Sequence, residues 1–477
     1  MQAQNSIVGT FGGGATDTVM HPVVAIAMVL AIALMLWLPR KYAVVPFLLT
    51  LFLLPAGQQF HVGGVHFYVP RIMILFGIAR LASAKLRSKA PIFTGGWNDL
   101  DKLFTCWAVL RTVAVVCVNW GKTSALIYEA AFLWDTLGGY YLLRFLIRDV
   151  NDIVRVARTF ALIAGVLALI MLTEKFLHQN LFGYLGSGPI VPQTRGGKIR
   201  AQGPFAHPIL AGTFAATLLP LFIWLWQSKR DRLLGKIGVA GSTAMVISSA
   251  SSTPLLAYFA VVGGICLWPL RTYMRRVRWA FLIALIICHL VMKAPVWFLI
   301  SHVDLVAGNS GYHRAMLIDT FIRHFSDWWL IGTNKQATWG FEMDDTCEQW
   351  VAEGGMGGLA TLFCFILLIK RAFGRIGNAR RQLSKDRKQE WMMWFIGVAL
   401  FSHCVAYFGI SYFDQTRFSW YALLCIISVV TIPRVAPARM SQREIKRAHP
   451  TGEGEAVTLV GAITPAVPSL QERPAYT

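Results

Sequence analysis

Apolar runs of a length that suits a lipid bilayer recur along almost the whole chain, separated by shorter polar connections. A membrane-spanning helix needs roughly 20 mostly apolar residues, and about 13 runs approach this length. They lie near residues 23–38, 44–55, 68–82, 103–118, 125–143, 154–176, 208–226, 237–250, 254–270, 279–300, 355–369, 392–410 and 418–432. A few are short, so the pattern predicts an all-α fold, a polytopic transmembrane helix bundle of about 11–14 spans.

The composition agrees with a membrane protein, because 55% of the residues are hydrophobic and only 14% are charged. Soluble domains have about 25% charged residues. The first 20 residues lack the basic start and apolar run of a cleavable signal peptide. We therefore expect an extracytoplasmic N-terminal segment (1–20), a transmembrane domain (21–434) and a polar, Pro-, Ala- and Gly-rich tail (435–477) that is disordered and cytoplasmic.

The net charge of +21 is distributed in short basic clusters between the apolar runs, which argues against nucleic acid as a partner. Nearly all clusters follow odd-numbered runs. Cytoplasmic loops are enriched in Lys and Arg, so one orientation accounts for the clusters together, with the N-terminus outside and the C-terminus inside. The clusters lie near residues 40–41, 85–89, 144–158, 229–232, 271–278, 370–388 and 434–447.

Two connections on the predicted outer side, residues 177–207 and 301–350, are much longer than the others. Long loops that are not of low complexity tend to carry function, so we expect the functional site there. In the second loop, apolar residues from Leu317 to Trp329 recur at spacings of three and four, which predicts an amphipathic helix. Such a helix lies on the membrane interface or packs on the transmembrane bundle.

Basic residues in these outer loops are the first candidates for a binding site. In the first loop, Arg195, Lys198 and above all Arg200 suit a phosphate or pyrophosphate, because a guanidinium group binds paired oxygens. Contact with lipid headgroups is the alternative. Arg314 in the second loop is a candidate second phosphate ligand, and an ion pair with Asp319 is its alternative role.

An acidic segment supplies the second set of candidates, since the residues between Phe341 and Gly358 include five carboxylates and no Lys or Arg. Asp344, Asp345 and Glu348 are candidates for a general base that takes a proton from an acceptor hydroxyl. Two other interpretations stay open. Asp345 and Glu348 fit a capping arrangement at a helix start, and carboxylates also favour Mg²⁺ or Mn²⁺.

Arg111 lies near the middle of an apolar run, where a charge costs about 2.5–3.5 kcal/mol on insertion scales. It is a candidate for lining a cavity, and an ion pair with Glu129 or Asp135 is the alternative. The sequence has no GxxxxGK[ST] and no HExxH motif. An ATP-driven pump is therefore not expected.

Three segments together resemble the O-antigen ligase and polymerase superfamily of bacterial membrane glycosyltransferases. They are Arg200-Ala-Gln-Gly-Pro-Phe-Ala-His207-Pro-Ile-Leu-Ala-Gly212, Gly311-Tyr-His313-Arg314 followed by Trp328-Trp-Leu-Ile-Gly332, and Asp344-Asp345 followed by Gly355-Met-Gly-Gly358. The resemblance covers roughly residues 154–430. Each motif is degenerate, and their order and common sidedness carry more weight than any one of them.

The resemblance implies a glycan donor linked to polyprenyl pyrophosphate, in the inner membrane, with the active face periplasmic. A glycan or lipid-linked acceptor would attack the donor while Arg200 and Arg314 hold the pyrophosphate. Arg111, His207 and His313 would line the cavity. No cofactor and no metal ion are expected, and membrane lipids and other polysaccharide assembly proteins are the expected partners.

One departure from the ligase pattern bears on the reaction. Counting back from the glycines, the ligase histidine corresponds to Asp344, and the next position to Asp345. This favours polymerisation of a surface or secreted polysaccharide over ligation of glycan to a lipid A core or protein. It leaves the base open among Asp344, Asp345 and Glu348. A transporter of lipid-linked glycan is the alternative from another functional class.

The predicted orientation is testable by cysteine labelling. In a background without native cysteines, Lys198→Cys and Asp344→Cys should react with a membrane-impermeant maleimide added from outside the inner membrane. Lys229→Cys should react only after permeabilisation, because it lies in a basic cluster assigned to the cytoplasm. Labelling of residues 198 and 344 from opposite faces would rule out a shared site.

Overall fold

The computed structural model describes residues 19–62, 65–87, 91–186, 188–302 and 310–432. Most of the predicted N-terminal segment (1–20) and the predicted tail (435–477) lie outside the described residues. The described residues are mostly helical, and helices cover most of each run predicted to span. The helices are α1 (Pro22–Trp37), α2 (Arg40–Leu53), α3 (Val69–Arg87), α4 (Asp99–Val118), α5 (Thr123–Leu133), α6 (Gly139–Leu146), α7 (Val150–Leu177), α8 (Pro208–Trp226), α9 (Arg232–Ser248), α10 (Ser252–Cys266), α11 (Met274–Val291), α12 (Ser310–Arg323), α13 (Phe325–Trp328), α14 (Gln349–Gln382), α15 (Arg387–Ala406) and α16 (Thr416–Val430).

Among the described residues, three helices are long and apolar enough to cross a membrane, namely α7, α8 and α14. A fourth crossing results if α10 and the following Trp268–Val291, bent by 77°, count as one span. α1 and α16 are apolar but shorter. A π-helical turn, Trp134–Gly138, joins α5 to α6, so these two helices form one continuous rod with a local bulge.

Two small β-hairpins add strand structure that the all-α prediction lacks. β1 (Gln59–Val62) pairs antiparallel with β2 (Val65–Tyr68), and β3 (Gln193–Arg195) pairs with β4 (Lys198–Arg200). Gly196 and Gly197 connect β3 to β4, both with positive φ, as a tight two-residue hairpin turn requires. Strands of three or four residues are too short for an alternation pattern to reveal them.

The core around α2, α7 and α8 is aromatic. The Phe52 ring stacks on Phe214 with 4.5 Å between centroids, and Phe160 meets Phe52 edge-on at 5.6 Å. All three side chains are fully buried. Large rigid rings thus fix how α7 and α8 pack, and both helices lead directly to the first long loop.

Basic residues from separate connections meet at one end of the helices, which we call the basic end. Arg40 at the start of α2 binds Asp152 at the start of α7 (2.8 Å). Arg158 binds Asp231, which precedes α9 (2.7 Å), and Arg271 binds Glu390 (3.2 Å). Glu174 near the far end of α7 instead contacts the backbone after β4. The first long loop therefore lies at the opposite end, which we call the site end.

The predicted amphipathic helix is real but is interrupted. α12 ends at Arg323, and the short α13 follows after His324. Leu317, Phe321 and Trp328 are buried in a small cluster with Val351 of α14. One face of the pair therefore packs on the helical core. Other apolar residues remain exposed, namely Ile322, Phe325 and Trp329.

A buried ion pair offers a test of this packing. Arg144 Nε donates to Asp101 Oδ1 (3.2 Å), both side chains are fully buried, and Tyr140 also donates to Asp101 (2.7 Å). Arg144→Met should destabilise the protein by about 3–5 kcal/mol, because it leaves a buried carboxylate unpaired. Arg371→Met removes an exposed pair with Asp99 (3.2 Å) and should cost about 1 kcal/mol or less. Thermal unfolding in detergent distinguishes them, and equal losses would contradict the assignment.

Candidate functional site

The backbone that follows β4 is held by contacts with two other segments. Glu174 of α7 accepts hydrogen bonds from the amides of Gln202 (3.1 Å) and Gly203 (2.8 Å). The amide of Ala201 donates to the carbonyl of Ser248 (3.0 Å). These anchors fix the strand end, so the side chain before them, Arg200, has a defined position.

Arg200 is buried, with 4% of its surface exposed. Its Nη2 donates to Ser251 Oγ (3.0 Å), whereas its Nε has no hydrogen-bond partner among the described residues. Burial, together with the positive charges of Arg195 and Arg314, lowers the pKa of Arg200 to about 10. The residue stays charged at neutral pH, in a position that other cations make unfavourable.

His207 begins α8 beside these arginines. Its Nδ1 accepts the amide hydrogen of Ile209 (3.1 Å), so the side chain caps the helix. Burial lowers the pKa of His207 to about 3, and Arg200 and Arg195 act in the same direction. The imidazole is therefore neutral at physiological pH and acts as an acceptor at the helix start.

Arg314, in the first turns of α12, faces both Arg200 and the acidic segment. It is buried, with 7% exposed, and its Nε has no partner within the described part of the chain. Electrostatic interactions connect it with Arg200, Asp345 and Glu348. The alternative pair with Asp319 does not form, because Asp319 binds Arg323 (2.6 Å). The two predicted phosphate ligands thus lie close enough for their charges to interact.

The three candidate bases differ in burial. Asp344 and Asp345 are exposed, whereas Glu348 is fully buried and neither of its carboxylate oxygens has a hydrogen-bond partner among the described residues. Desolvation raises the pKa of Glu348 well above its usual value, although Arg314 opposes the shift. Desolvation also raises the pKa of Asp345, against the opposing charges of His313 and Arg314. His313 Nε2 lies 3.4 Å from the Asp345 carbonyl oxygen.

The predicted capping arrangement of Asp345 and Glu348 is wrong. Glu348 itself is the residue before α14, and its side chain makes no capping hydrogen bond. The chain reaches the helix in an extended conformation at Glu348. The Glu348 side chain is instead buried in the interior, where it interacts electrostatically with Arg314.

The glycine motifs of the second loop and of α14 meet in space. α14 is kinked at Gly358, which has a φ of 71°. There the amide of Leu359 donates to the Trp329 carbonyl (2.8 Å), and the amide of Thr333 donates to the Gly355 carbonyl (2.7 Å). A Cβ at Gly358 would lie 2.6 Å from the Leu330 carbonyl oxygen. Only glycine permits so close an approach between the two backbones. The main-chain hydrogen bonds then hold the second long loop against α14.

Arg111 lies in a different environment from Arg200 and Arg314. It approaches Glu129 (3.8 Å), stacks on the Phe132 ring (3.6 Å) and reaches Met356 Sδ (3.3 Å). Pairing with Glu129, one of its two alternative roles, is the one observed. Arg111 supports the glycine segment through Met356.

Sequence reasoning identified Asp135 as a charge within the fifth run and missed its partners. Asp135 lies in the π-helical turn and pairs with Arg71 (3.1 Å) and Arg417 (3.2 Å). Glu174 and Ser251, which hold the Arg200 segment, were also missed. Each is an ordinary polar residue near a helix end, and nothing in its local pattern marks a distant partner.

No protein-family model matches the chain, and a search of curated proteins found no match. The site must be interpreted from its own chemistry. Within the described ranges, no three His, Cys, Asp or Glu side chains are grouped so as to hold a metal ion. The arrangement consists of two buried arginines with an exposed and a buried carboxylate, Asp345 and Glu348, near Arg314.

The unusual state of Glu348 leads to a pH-dependent prediction. A carboxyl whose pKa is raised by folding binds its proton more tightly in the native state than in the unfolded state. The folded protein therefore loses stability as the pH rises above about 4.5, the ordinary pKa of a glutamate. Glu348→Gln should therefore unfold at a higher temperature than the wild type at pH 7.5. The advantage should shrink on acidification once the pH falls below the native-state pKa of Glu348, by at most about 1.4 kcal/mol per pH unit, and vanish near pH 4.5.

The control for this prediction is Asp344→Asn, which makes the same chemical change at an exposed carboxylate four residues before Glu348. It should show no pH-dependent gain. A Glu348→Gln advantage that is constant between pH 4.5 and 7.5 would mean that the carboxyl is not forced to stay protonated by folding.

Proposed function

We propose that the protein is a membrane glycosyltransferase that transfers or polymerises polyprenyl-pyrophosphate-linked glycan repeats on the extracytoplasmic side of the bacterial inner membrane. Its product would be a surface or secreted polysaccharide. One observation carries the proposal. Arg200 and Arg314 come from different loops, are both buried and repel each other, yet each keeps a guanidinium nitrogen with no partner among the described residues.

Such an arrangement is unfavourable by itself. Like charges repel more strongly where water is excluded, and a buried donor without an acceptor costs about 1–3 kcal/mol. A ligand with several anionic oxygens removes both penalties at once. Pyrophosphate fits this requirement, because planar guanidinium groups bind pairs of phosphate oxygens.

In the proposed reaction, the hydroxyl of the acceptor attacks the anomeric carbon of the donor sugar. The bond between that carbon and the pyrophosphate oxygen breaks, and the hydroxyl proton passes to a carboxylate base. Negative charge develops on the departing pyrophosphate, where Arg200 and Arg314 stabilise it. The donor is already activated, so the proposal requires no nucleotide.

Asp345 is the base that the geometry favours. An exposed residue is accessible to an acceptor hydroxyl, and a raised pKa brings a carboxylate closer to the optimum for proton abstraction near neutral pH. Glu348 is fully buried, so we assign it the role of orienting Arg314. His313 is well placed to orient the Asp345 segment through its carbonyl.

The distribution of charge supports the sidedness of this proposal. Paired basic clusters lie at the basic end, whereas the Arg200 loop and the acidic segment share the site end. We propose that α1–α4, the α5–α6 rod, α7–α11 and α14–α16 all cross the bilayer. This gives an odd number of spans, with the N-terminus outside and the C-terminus inside, as the positive-inside rule requires.

Transfer in vitro tests the proposal. Purified protein with a defined polyprenyl-pyrophosphate oligosaccharide should yield longer lipid-linked chains. Arg200→Ala and Arg314→Ala should each lower the rate by about 10²–10³-fold, as expected for lost electrostatic stabilisation. Asp345→Asn should lower it by about 10²–10⁴-fold, as expected for a lost base.

Matched variants control for loss of activity that is caused by misfolding. Lys198→Ala lies on the same strand as Arg200 but is exposed, and Asp344→Asn neighbours Asp345; both should retain activity. Arg200→Lys should restore part of it. Translocation of the donor with no glycan transfer would favour a transporter, and transfer only to lipid A core or protein would favour a ligase. Full activity of Arg200→Ala and Arg314→Ala would refute the site.

A further inference from the structure

A cavity of about 370 Å³ opens at the basic end, where the starts of α2 and α7 meet the connection before α9. Its lining includes two carboxylates and five cationic side chains. The cationic residues are Arg40, Lys41, Arg155, Arg158 and Arg230. The cavity is far along α7 from Glu174, so it is separate from the site of Arg200 and Arg314.

The carboxylates near this cavity are already occupied by some of the cations. Asp152 accepts from Arg40 (2.8 Å) and Arg155 (2.6 Å), and Asp231 accepts from Arg158 (2.7 Å). Even with Asp231 counted, positive charge remains in excess by two. Two other lining residues, Lys41 and Arg230, account for this excess positive charge.

Lys41 and Arg230 supply that surplus charge. Both are exposed, and neither has a carboxylate within 4.0 Å in the described part of the chain. Arg158 adds a buried Nε that lacks a hydrogen-bond partner among the described residues. The cavity thus offers several unsatisfied donors and net positive charge to one anionic group.

Exposed apolar residues continue from these cations along the same helices. Leu162, exposed and one turn beyond Arg158 on α7, lies on the same helical face. On α9, Leu233 and Ile237 are exposed and lie one helical turn apart, close in sequence to Arg230 in the turn that precedes the helix. A ligand that binds here with a charged head therefore meets an apolar surface next to it.

We propose that this cavity binds the phosphate of an anionic phospholipid headgroup, whose acyl chains lie along Leu162, Leu233 and Ile237. The unpaired cations explain the preference for an anion, and the adjoining apolar stripes favour a lipid over free phosphate. Basic pockets between helices near a membrane surface suit such headgroups. The inference does not depend on the proposed transferase activity.

Native mass spectrometry of the purified full-length protein tests this inference. With phosphatidylglycerol added, the wild type should retain bound lipid, and Lys41→Gln/Arg230→Gln should bind it at least about tenfold more weakly, since each basic side chain near the surface contributes to attraction. Phosphatidylcholine at the same concentration should bind weakly to both. Added salt should reduce the difference between the lipids.

The matched control is Lys229→Gln/Arg232→Gln, which removes the same charge from exposed neighbours outside the cavity. It should bind phosphatidylglycerol like the wild type. Equal weakening in both double variants, or none in either, would overturn the proposal. Inorganic phosphate that competes at micromolar concentration would also overturn it, since the site would then recognise the free anion without the lipid.

Discussion

The cost of burying positive charge without a counterion is the constraint on which the site end depends. Arg200 and Arg314 are both buried, and the positive charge of Arg314 contributes to lowering the pKa of Arg200. Proteins normally pair buried charges, because desolvation of an unpaired ion costs several kcal/mol. A fold that keeps these two guanidinium groups together must hold them by other contacts.

Those contacts come from the backbone. Glu174 and the Ser248 carbonyl hold the strand that carries Arg200, and Ser251 accepts from the guanidinium itself. The kink at Gly358 fastens the second loop to α14 through main-chain hydrogen bonds. Rigid support of this kind is what a preorganised anion site needs, because it avoids reorganisation when a charged ligand arrives.

At the basic end, in contrast, carboxylates compensate buried or partly buried positive charges directly. There several arginines pair directly with carboxylates, as Arg144 does with Asp101 and Arg271 with Glu390. These pairs connect different segments of the helical core and so serve the fold. The cavity beside Lys41 and Arg230 instead keeps an excess of positive charge.

The sequence by itself determined where the helices lie, since helices occupy most of each predicted apolar run and an apolar run of this length can satisfy its backbone only internally. It also selected Arg200, Arg314 and Asp345 as candidates. It did not show the short hairpins, the break at His324 or the roles of Glu174 and Ser251. Only the tertiary structure decided these, because they depend on contacts between residues far apart in the chain, such as Glu174 with Gly203 and Thr333 with Gly355. Periodicity reports which face of a helix avoids water, and it contains no information about which loop that helix will meet.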